Sequence, residues 1–435
     1  MNKTLRNTLA PLAVVTSLFF MWGFITVLVD SLIPRLREIF ELSYFQAGLV
    51  QFAFFIAYGI VSIPAGWLLS RIGYKKGMLV GLATMGIGCL LFWPAAGLRV
   101  FPLFMLGYFI LASGMTVLQV AANPYVAVLG EESGASSRLN LAQAFNSVGT
   151  TIAPIIGAMF ILSDRIRSGA DITAMEPAVR EAYLVNEASA VQGPFIVLAC
   201  ALLLLAAVVG IAHLPRILDP RSTGSFAEAM RHGRLKWGAV GIFVYVGAEV
   251  AIGSYLVNYF LSMDLAETVR SNGRLAGIAS TLLGKDLPSV DAKGVVGAFV
   301  ALYWGGAMVG RFIGSYLTRS FKPAMVLAVF GCSAITMVGI SMGAQGTTAM
   351  WSILAVGLFN SIMFPTIFTL AIEGLGELKP QGSGILCTAI VGGAFVPPLL
   401  GLLADSYGFK IAFVLVLACY TYITVYALRL NRVGA

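Results

Sequence analysis

The residues that matter first are acids where acids are expensive. The stretch "FFMWGFITVLVDSLIP", Phe19 to Pro34, lies in the first long apolar run and carries Asp30. An ionised carboxylate near the middle of a bilayer costs roughly 2.5–3.5 kcal/mol on insertion scales. It must therefore face the protein interior or water, and a group that takes up and releases a proton or binds a cation meets that requirement. The structural alternative is an acid paired with Arg35 or Arg37 near the membrane interface. A second acid within an apolar run is Glu249, in "YVGAEVAIGSYLVNYF". It opens the second half of the chain as Asp30 opens the first. Its alternatives are a coupling carboxyl or a structural hydrogen bond to a neighbouring helix.

Uncharged polar groups cluster as well. "LQVAANPYV" sets Gln119 and Asn123 one helical turn apart on one face. Pro124 follows and removes a backbone donor. "RLNLAQAFNS" places Asn140, Gln143 and Asn146 at every third residue, on one broad face. "GLFNSIMFPTIF" offers Asn360, Ser361 and Thr366 around Pro365, and Asn258 joins Tyr255 and Tyr259. Amides offer both donor and acceptor, which suits vicinal hydroxyls. An aromatic face such as that of Trp22 suits the apolar side of a sugar ring. Interhelical hydrogen bonding is the competing use for each amide taken singly.

Other chemistries lack their residues. No GxxxxGK[ST] occurs, so no phosphate-binding loop of that kind is encoded. The two histidines, His213 and His232, lie at or within one polar linker, and no His, Cys and acid spacing suits a metal. No Ser-His-Asp set stands out. An enzyme is not expected, nor a cofactor or a metal.

These residues must be positioned by helices in lipid. Of the 435 residues 58% are hydrophobic and 11% charged, against about a quarter charged in soluble domains. Apolar runs long enough to cross roughly 30 Å of hydrocarbon are expected near 9–33, 44–70, 76–96, 101–128, 138–162 and 191–213. A second set is expected near 237–262, 294–317, 323–343, 347–373, 381–405 and 409–429, making twelve. The first run is too long for a cleaved signal peptide.

The net charge of +8 is spread in a way that excludes nucleic-acid binding. Basic residues gather in alternate loops: "RIGYKK", "RHGRLK", "RSFK", and Arg429 with Arg432. The positive-inside rule then places both termini and the central loop in the cytoplasm. The segments 163–190 and 263–293 fall outside. The five cysteines (Cys89, Cys200, Cys332, Cys387, Cys419) lie in apolar runs without paired spacing and read as small core residues.

The chain repeats itself. "GWLLSRIGYKKGMLV" is echoed by "GSYLTRSFKPAMVL", and "LGEESGASSRLNLAQAFNSVGTTIAPIIG" by "LGELKPQGSGILCTAIVGGAFVPPLLG". Such weak internal symmetry marks transporters built from repeats. The expected division is 1–214, a polar linker 215–236, and 237–435. Within the linker "SFAEAMRHG" suits a short surface helix. "GGAMVGRFIGSYL" carries small residues four apart, which let helix backbones approach closely.

Together these segments resemble the major facilitator superfamily, and within it the fucose–galactose–glucose:proton symporter family. The resemblance runs over nearly the full chain. It is carried by "WGFITVLVDSLIP", "FQAGLVQFAFFIAYGIVSIPAG", "RIGYKKG", "LQVAANPYVAVLGEE", "SRLNLAQAFNSVGT", "YVGAEVAIGSYLVNY" and "FPTIFTLAIEGLG". It implies an all-α membrane protein of two pseudo-symmetric six-helix bundles, with alternating access and a central sugar cavity. It implies proton coupling at the position of Asp30 and sugar contact at Gln143 and Asn146. A second acid of the fucose-transporting branch corresponds to Gln119 here, which cannot protonate. An Asn near the first-helix acid of relatives is Val27 or Val29. Gln119 with Glu249 looks more like the glucose/galactose branch. Relatives include proton- and sodium-coupled members, so both ions stay open.

The expectation is a hexose:cation symporter of the inner membrane, monomeric, driven most readily by protons. Asp30 is the first candidate for coupling and Glu249 the second. Trp22, Gln119, Asn123, Gln143, Asn146, Asn258 and Asn360 are expected to face the sugar. Arg71, Lys75 and Lys76 are expected to form a cytoplasmic gate. One charge moved through 100 mV yields about 2.3 kcal/mol, and one pH unit adds about 1.4 kcal/mol. One proton therefore sustains a sugar gradient of several hundredfold. The rivals are an uncoupled or sodium-coupled transporter and a non-transporting sugar sensor.

Overall fold

A chain in lipid must satisfy its backbone internally, and a run of apolar residues does so as a helix. The computed structural model describes residues 3–39, 44–160, 174–215, 217 and 224–433. The side chains of 3–9, 29–39, 44–49, 51, 155, 157–160, 188–191 and 433 lie outside that description. Among the described residues no strand occurs, and ten stretches are long and apolar enough to cross a membrane. One of them, Phe52–Leu98, has 47 residues. As a single rod it would measure roughly 70 Å, over twice the hydrocarbon thickness. It breaks at Gly73, where φ is 78° and ψ 167°, a backbone state that glycine reaches without strain. Two spans therefore share that stretch. Helix Ala135–Phe160 adds a further one, and the total reaches the expected twelve.

These are α1 (Lys3–Ile39), α2 (44–72) and α3 (74–98), α4 (Phe101–Val128), α5 (Ala135–Phe160) and α6 (Pro177–Ile211). The second set is α7 (Gly233–Leu261), α8 (Val300–Ser320) and α9 (Pro323–Gly343). It continues with α10 in two pieces (Gly346–Asn360 and Met363–Ile372), α11 in two pieces (Lys379–Thr388 and Gly392–Tyr407) and α12 (Val414–Val433).

Two sequence expectations shift. α6 begins at Pro177 rather than near 191, because "PAVREAYLVNEASA" is rich in helix formers and continues the helix as a polar extension. The segment 263–293 holds helices Leu265–Ser271 and Gly273–Leu283. Cys200 and Cys332 are exposed, whereas Cys89, Cys387 and Cys419 are buried. The linker does hold a short helix, Phe226–Ala229, whose N-cap Ser225 accepts from the Glu228 N–H at 3.0 Å.

Two compact units result. One holds Met1–Glu131, Val148–Arg231 and Gly374–Thr388; the other holds Glu132–Ser147, His232–Glu373 and Ala389–Ala435. Each is one sequence half with one segment exchanged. The divided helices, α5 and α11, are those whose sequences echo each other. In the first unit α11 crosses α2 backbone to backbone: a Cβ on Gly384 would lie 2.8 Å from the Ser62 carbonyl, and one on Gly66 would lie 2.8 Å from that of Pro380. In the second unit α5 joins α8 and α10 through hydroxyls and an amide. Ser136 meets Thr369 at 2.6 Å, Ser137 Oγ donates to the Ser315 carbonyl at 2.7 Å, and Asn140 Nδ2 reaches Thr366 Oγ1 at 3.2 Å.

Small residues set the close seams. α3 and α4 meet along Gly81, Gly88, Gly107 and Gly114, and a Cβ on Gly114 would lie 2.5 Å from Met85 N. Gly306, Gly310 and Gly314 of α8 all face α10 between Leu358 and Ile362. This is the use that their four-residue spacing predicts.

Prolines in the fourth helix of each set create one further demand. Pro124 has no N–H for the carbonyl of Val120, four residues earlier. Ser383 Oγ of α11 donates to that carbonyl at 2.8 Å. Pro365 likewise leaves the carbonyl of Ser361 without its helical donor. Arg311 Nε of α8 donates to it at 3.2 Å. Both carbonyls are thus satisfied from outside their own helix.

Two measurements test this packing. Ser383→Ala should lower stability by about 1–2 kcal/mol through the lost donor, and adding Pro124→Ala, which restores an N–H, should recover most of it. Thermal melting of the single and double variants reads the coupling. Gly114→Val should cost about 3 kcal/mol or more by overpacking and reduce monodisperse yield in detergent. Gly305→Ala, with nothing within 4 Å of the added carbon, should match the parent.

Candidate functional site

The second unit holds the charged part of the site. Glu249 sits near the middle of α7, with Tyr245 one turn before it. Tyr245 Oη donates to Glu249 Oε1 at 2.7 Å. Arg311 Nη2, on α8, stands 3.7 Å from the same oxygen. That separation is an ion pair without a hydrogen bond. Among the described residues no donor reaches Oε2. Each of the two charged side chains keeps 13% of its surface exposed. Lipid is a costly neighbour for either charge, so the open edge is one that suits water or a polar solute.

Arg311 stands where it does because the glycine stripe brings α8 against α10. Its Nε is committed to the Ser361 carbonyl. Its Nη1 donates to the Gln143 carbonyl of α5 at 3.4 Å and to Ser147 Oγ. The guanidinium thereby ties α5, α7, α8 and α10 within this unit. Beneath it lies a phenol and amide layer. Asn360 Nδ2 donates to Tyr303 Oη at 2.7 Å and to Tyr420 Oη at 3.3 Å. Tyr303 Oη in turn reaches the Glu249 carbonyl at 3.4 Å. Asn360 Oδ1 is buried and, among the described residues, accepts no hydrogen bond.

The first unit holds a neutral counterpart. Gln119 Nε2 donates to Tyr58 Oη of α2. Ser62 and Asn123 follow one turn further along their helices. Among the described residues, Gln119 Oε1, Ser62 Oγ and both polar atoms of the Asn123 amide are buried without a hydrogen bond. The Cys387 thiol of α11 lies beside Asn123 and Ser383. Trp22 is half-buried on α1, its ring 5.7 Å from that of Phe19. Thr26 hydrogen-bonds back to the Trp22 carbonyl at 2.9 Å.

The remaining expected residues divide. Gln143 and Asn146 are buried, and Gln143 joins the Arg311 group through its carbonyl. Asn258 is exposed, one turn from the end of α7, and is not drawn into either cluster. The side chain of Asp30 lies outside the described residues. Of the expected gate, the Arg71 guanidinium carbon lies 3.9 Å above the ring of Trp67. Lys75 Nζ donates to the Gly210 and Ala212 carbonyls at 2.8 Å each, closing the end of α6. Lys76 is exposed. Among the described residues no group of three His, Cys, Asp or Glu side chains is placed to hold a metal.

Sequence reasoning did not single out Arg311, Tyr58, Tyr245, Tyr303 or Tyr420 as site residues. The signal for Arg311 was present: a cation inside the apolar run "GGAMVGRFIGSYL" is as costly as Asp30. The glycines around it drew the reading towards packing alone. The tyrosines carried no such signal, because a buried phenol looks like core until its partner is known.

Comparison with known proteins places this arrangement. The sequence profile of the Major Facilitator Superfamily matches residues 12–390. The chain is 49% identical over 426 residues to a glucose/galactose transporter of Brucella abortus biovar 1 (strain 9-941), covering 97% of this chain and 94% of that protein. It is 35% identical over 418 residues to the L-fucose-proton symporter of Escherichia coli (strain K12), covering 93% and 89%. The crystal structure of the transporter FucP in its outward conformation superposes with a TM-score of 0.86 at 33% identity, covering 97% of this chain and 99% of that one. On the extent of the profile match and these identities, the chain belongs to the Major Facilitator Superfamily.

Proposed function

We propose that this chain is a secondary active transporter that moves a glucose- or galactose-like hexose across the cytoplasmic membrane by proton symport. The observation that carries the reading is the charge balance of the polar groups within the spans. Glu249 faces Arg311, and the groups around them are amides and phenols. Such a lining suits a neutral, hydroxyl-rich solute and disfavours an ionic one. The relatives described as a glucose/galactose transporter and an L-fucose-proton symporter support the same solute class.

In this reading Asp30 carries the coupling proton. Glu249 already faces a fixed cation and is the weaker candidate for a travelling one. Trp22, Gln119, Asn123, Gln143, Asn146 and Asn360 face the sugar, with Asn258 at the outer edge. Arg71, Lys75 and Lys76 close the cytoplasmic side between α2 and α3. The working division is 1–214 and 237–435 about the linker 215–236. Both termini lie in the cytoplasm, the membrane is the inner one, and the protein acts as a monomer.

The test is uptake of labelled glucose and galactose into proteoliposomes, with pH and sodium gradients imposed separately. Accumulation should follow the pH gradient; accumulation driven by sodium alone would replace the proton with sodium. Asp30→Asn should lose uphill uptake, falling to equilibration, while keeping sugar exchange within about threefold. Accumulation by Asp30→Asn at the parent level would remove Asp30 from coupling.

A further inference from the structure

The Arg311 donors are not equivalent, and neither are the two oxygens of Glu249. Nε is occupied by the Ser361 carbonyl, a bond that the proline at 365 makes necessary. Nη1 is occupied by Gln143 and Ser147 of α5. Among the described residues Nη2 donates no hydrogen bond; Glu249 Oε1 stands 3.7 Å from it, too long for one. On the acid, Oε1 accepts from Tyr245, and among the described residues Oε2 accepts from nothing. Nε, Nη1 and Oε1 are thus engaged within the unit. Nη2 and Oε2 remain, a charged donor and a charged acceptor on two side chains that are each partly exposed.

We infer that Arg311 Nη2 and Glu249 Oε2 together bind two neighbouring hydroxyls of the transported sugar, and that this pair determines which hydroxyl pattern is accepted. The inference rests on the hexose-transport reading above and adds a residue, Arg311, and a role to it. One hydroxyl donates its proton to Oε2, and the adjacent one accepts from Nη2. A vicinal diol presents a donor and an acceptor side by side, so it can meet Oε2 and Nη2 while Nε and Nη1 of Arg311 keep their own partners. Hydrogen bonds to charged groups are the strong ones. A site built to make them also rejects analogues that lack the hydroxyl, since its polar atoms are then left without a partner. Arg311 therefore has two duties on different nitrogens: Nε and Nη1 hold the fold, and Nη2 reads the solute.

The experiment is competition binding to the purified full-length protein in detergent. Labelled galactose or glucose is displaced by the set of monodeoxy hexoses. In the parent, two adjacent deoxy positions should each weaken binding by at least about 10-fold. In Glu249→Gln, which leaves the hydrogen bonds of Arg311 to α5 and α10 in place, the penalty at the position facing the acid should fall to about twofold or less. In Arg311→Lys, which keeps the charge but loses the fork, the penalty at the adjacent position should fall likewise. Penalties at the other positions should be unchanged in both. A purely structural pair predicts a uniform loss across all sugars, and that result, or an unchanged panel, overturns the inference. Should Arg311→Lys fail to fold, Glu249→Gln alone decides the outcome. Parent protein that binds the sugars but does not exchange them in proteoliposomes would overturn transport and leave the diol site standing. Parent protein that binds no hexose overturns both.

Discussion

A carbonyl released by a proline inside a bilayer has no water to turn to, and much of this structure answers that constraint. Pro124 and Pro365 occupy corresponding helices of the two sets. Each frees the carbonyl four residues before it, and each carbonyl is capped by a side chain from another helix. The cap must approach closely. The α8 glycines at 306, 310 and 314 allow this on one side, and the α2–α11 crossing at Gly66 and Gly384 allows it on the other. The small-residue stripes, the kinked helices and the donors on neighbouring helices are thus parts of a single solution. They also place polar side chains deep in an apolar protein at no further backbone cost.

The two solutions are alike in backbone and different in charge. A serine hydroxyl caps the carbonyl in the first unit, and its surroundings are neutral: Tyr58, Gln119, Asn123 and Cys387. A guanidinium caps it in the second, and a carboxylate stands beside it. Removing one member of a buried pair of this kind costs about 3–5 kcal/mol, because the other is left uncompensated. Arg311 therefore favours an acidic side chain at position 249. The repeat sets where these polar groups sit, and serine or arginine at the cap decides whether the groups beside that carbonyl are neutral or charged. The exchange of α5 and α11 between units follows the same repeat, since these are the two segments whose sequences echo each other.

The helices were legible in the sequence because lipid imposes a length and a composition on them. The break at Gly73 was legible as a polar, basic turn between two apolar runs. The start of α6 was not, since its first turns are polar and helix propensity outside the membrane leaves no hydropathy signal. Among the polar residues, Glu249, Gln119, Asn123, Gln143 and Asn360 stood out by their cost in lipid, and the structure finds them buried or half-buried. Their partners did not stand out. Pairing across helices depends on which faces meet, and spacing along one helix says nothing about that. Arg311 shows the limit well: its charge was visible, but the missing donor of a proline 54 residues later in the chain was not visible as its partner.

The fixed pair bears on how the proposed cycle handles charge. Glu249 and Arg311 together contribute no net charge, and a hexose brings none. If both remain ionised throughout, the electrical work of a turnover falls on the single group that gains and loses a cation, which in the proposed cycle is Asp30. One proton moved through 100 mV supplies about 2.3 kcal/mol. Without Arg311 two carboxylates in the spans would each need a cation, and the loaded carrier would move two charges per sugar. In the proposed cycle the guanidinium separates recognition from coupling: a carboxylate, a strong acceptor for sugar hydroxyls, works in the membrane without becoming a second proton carrier.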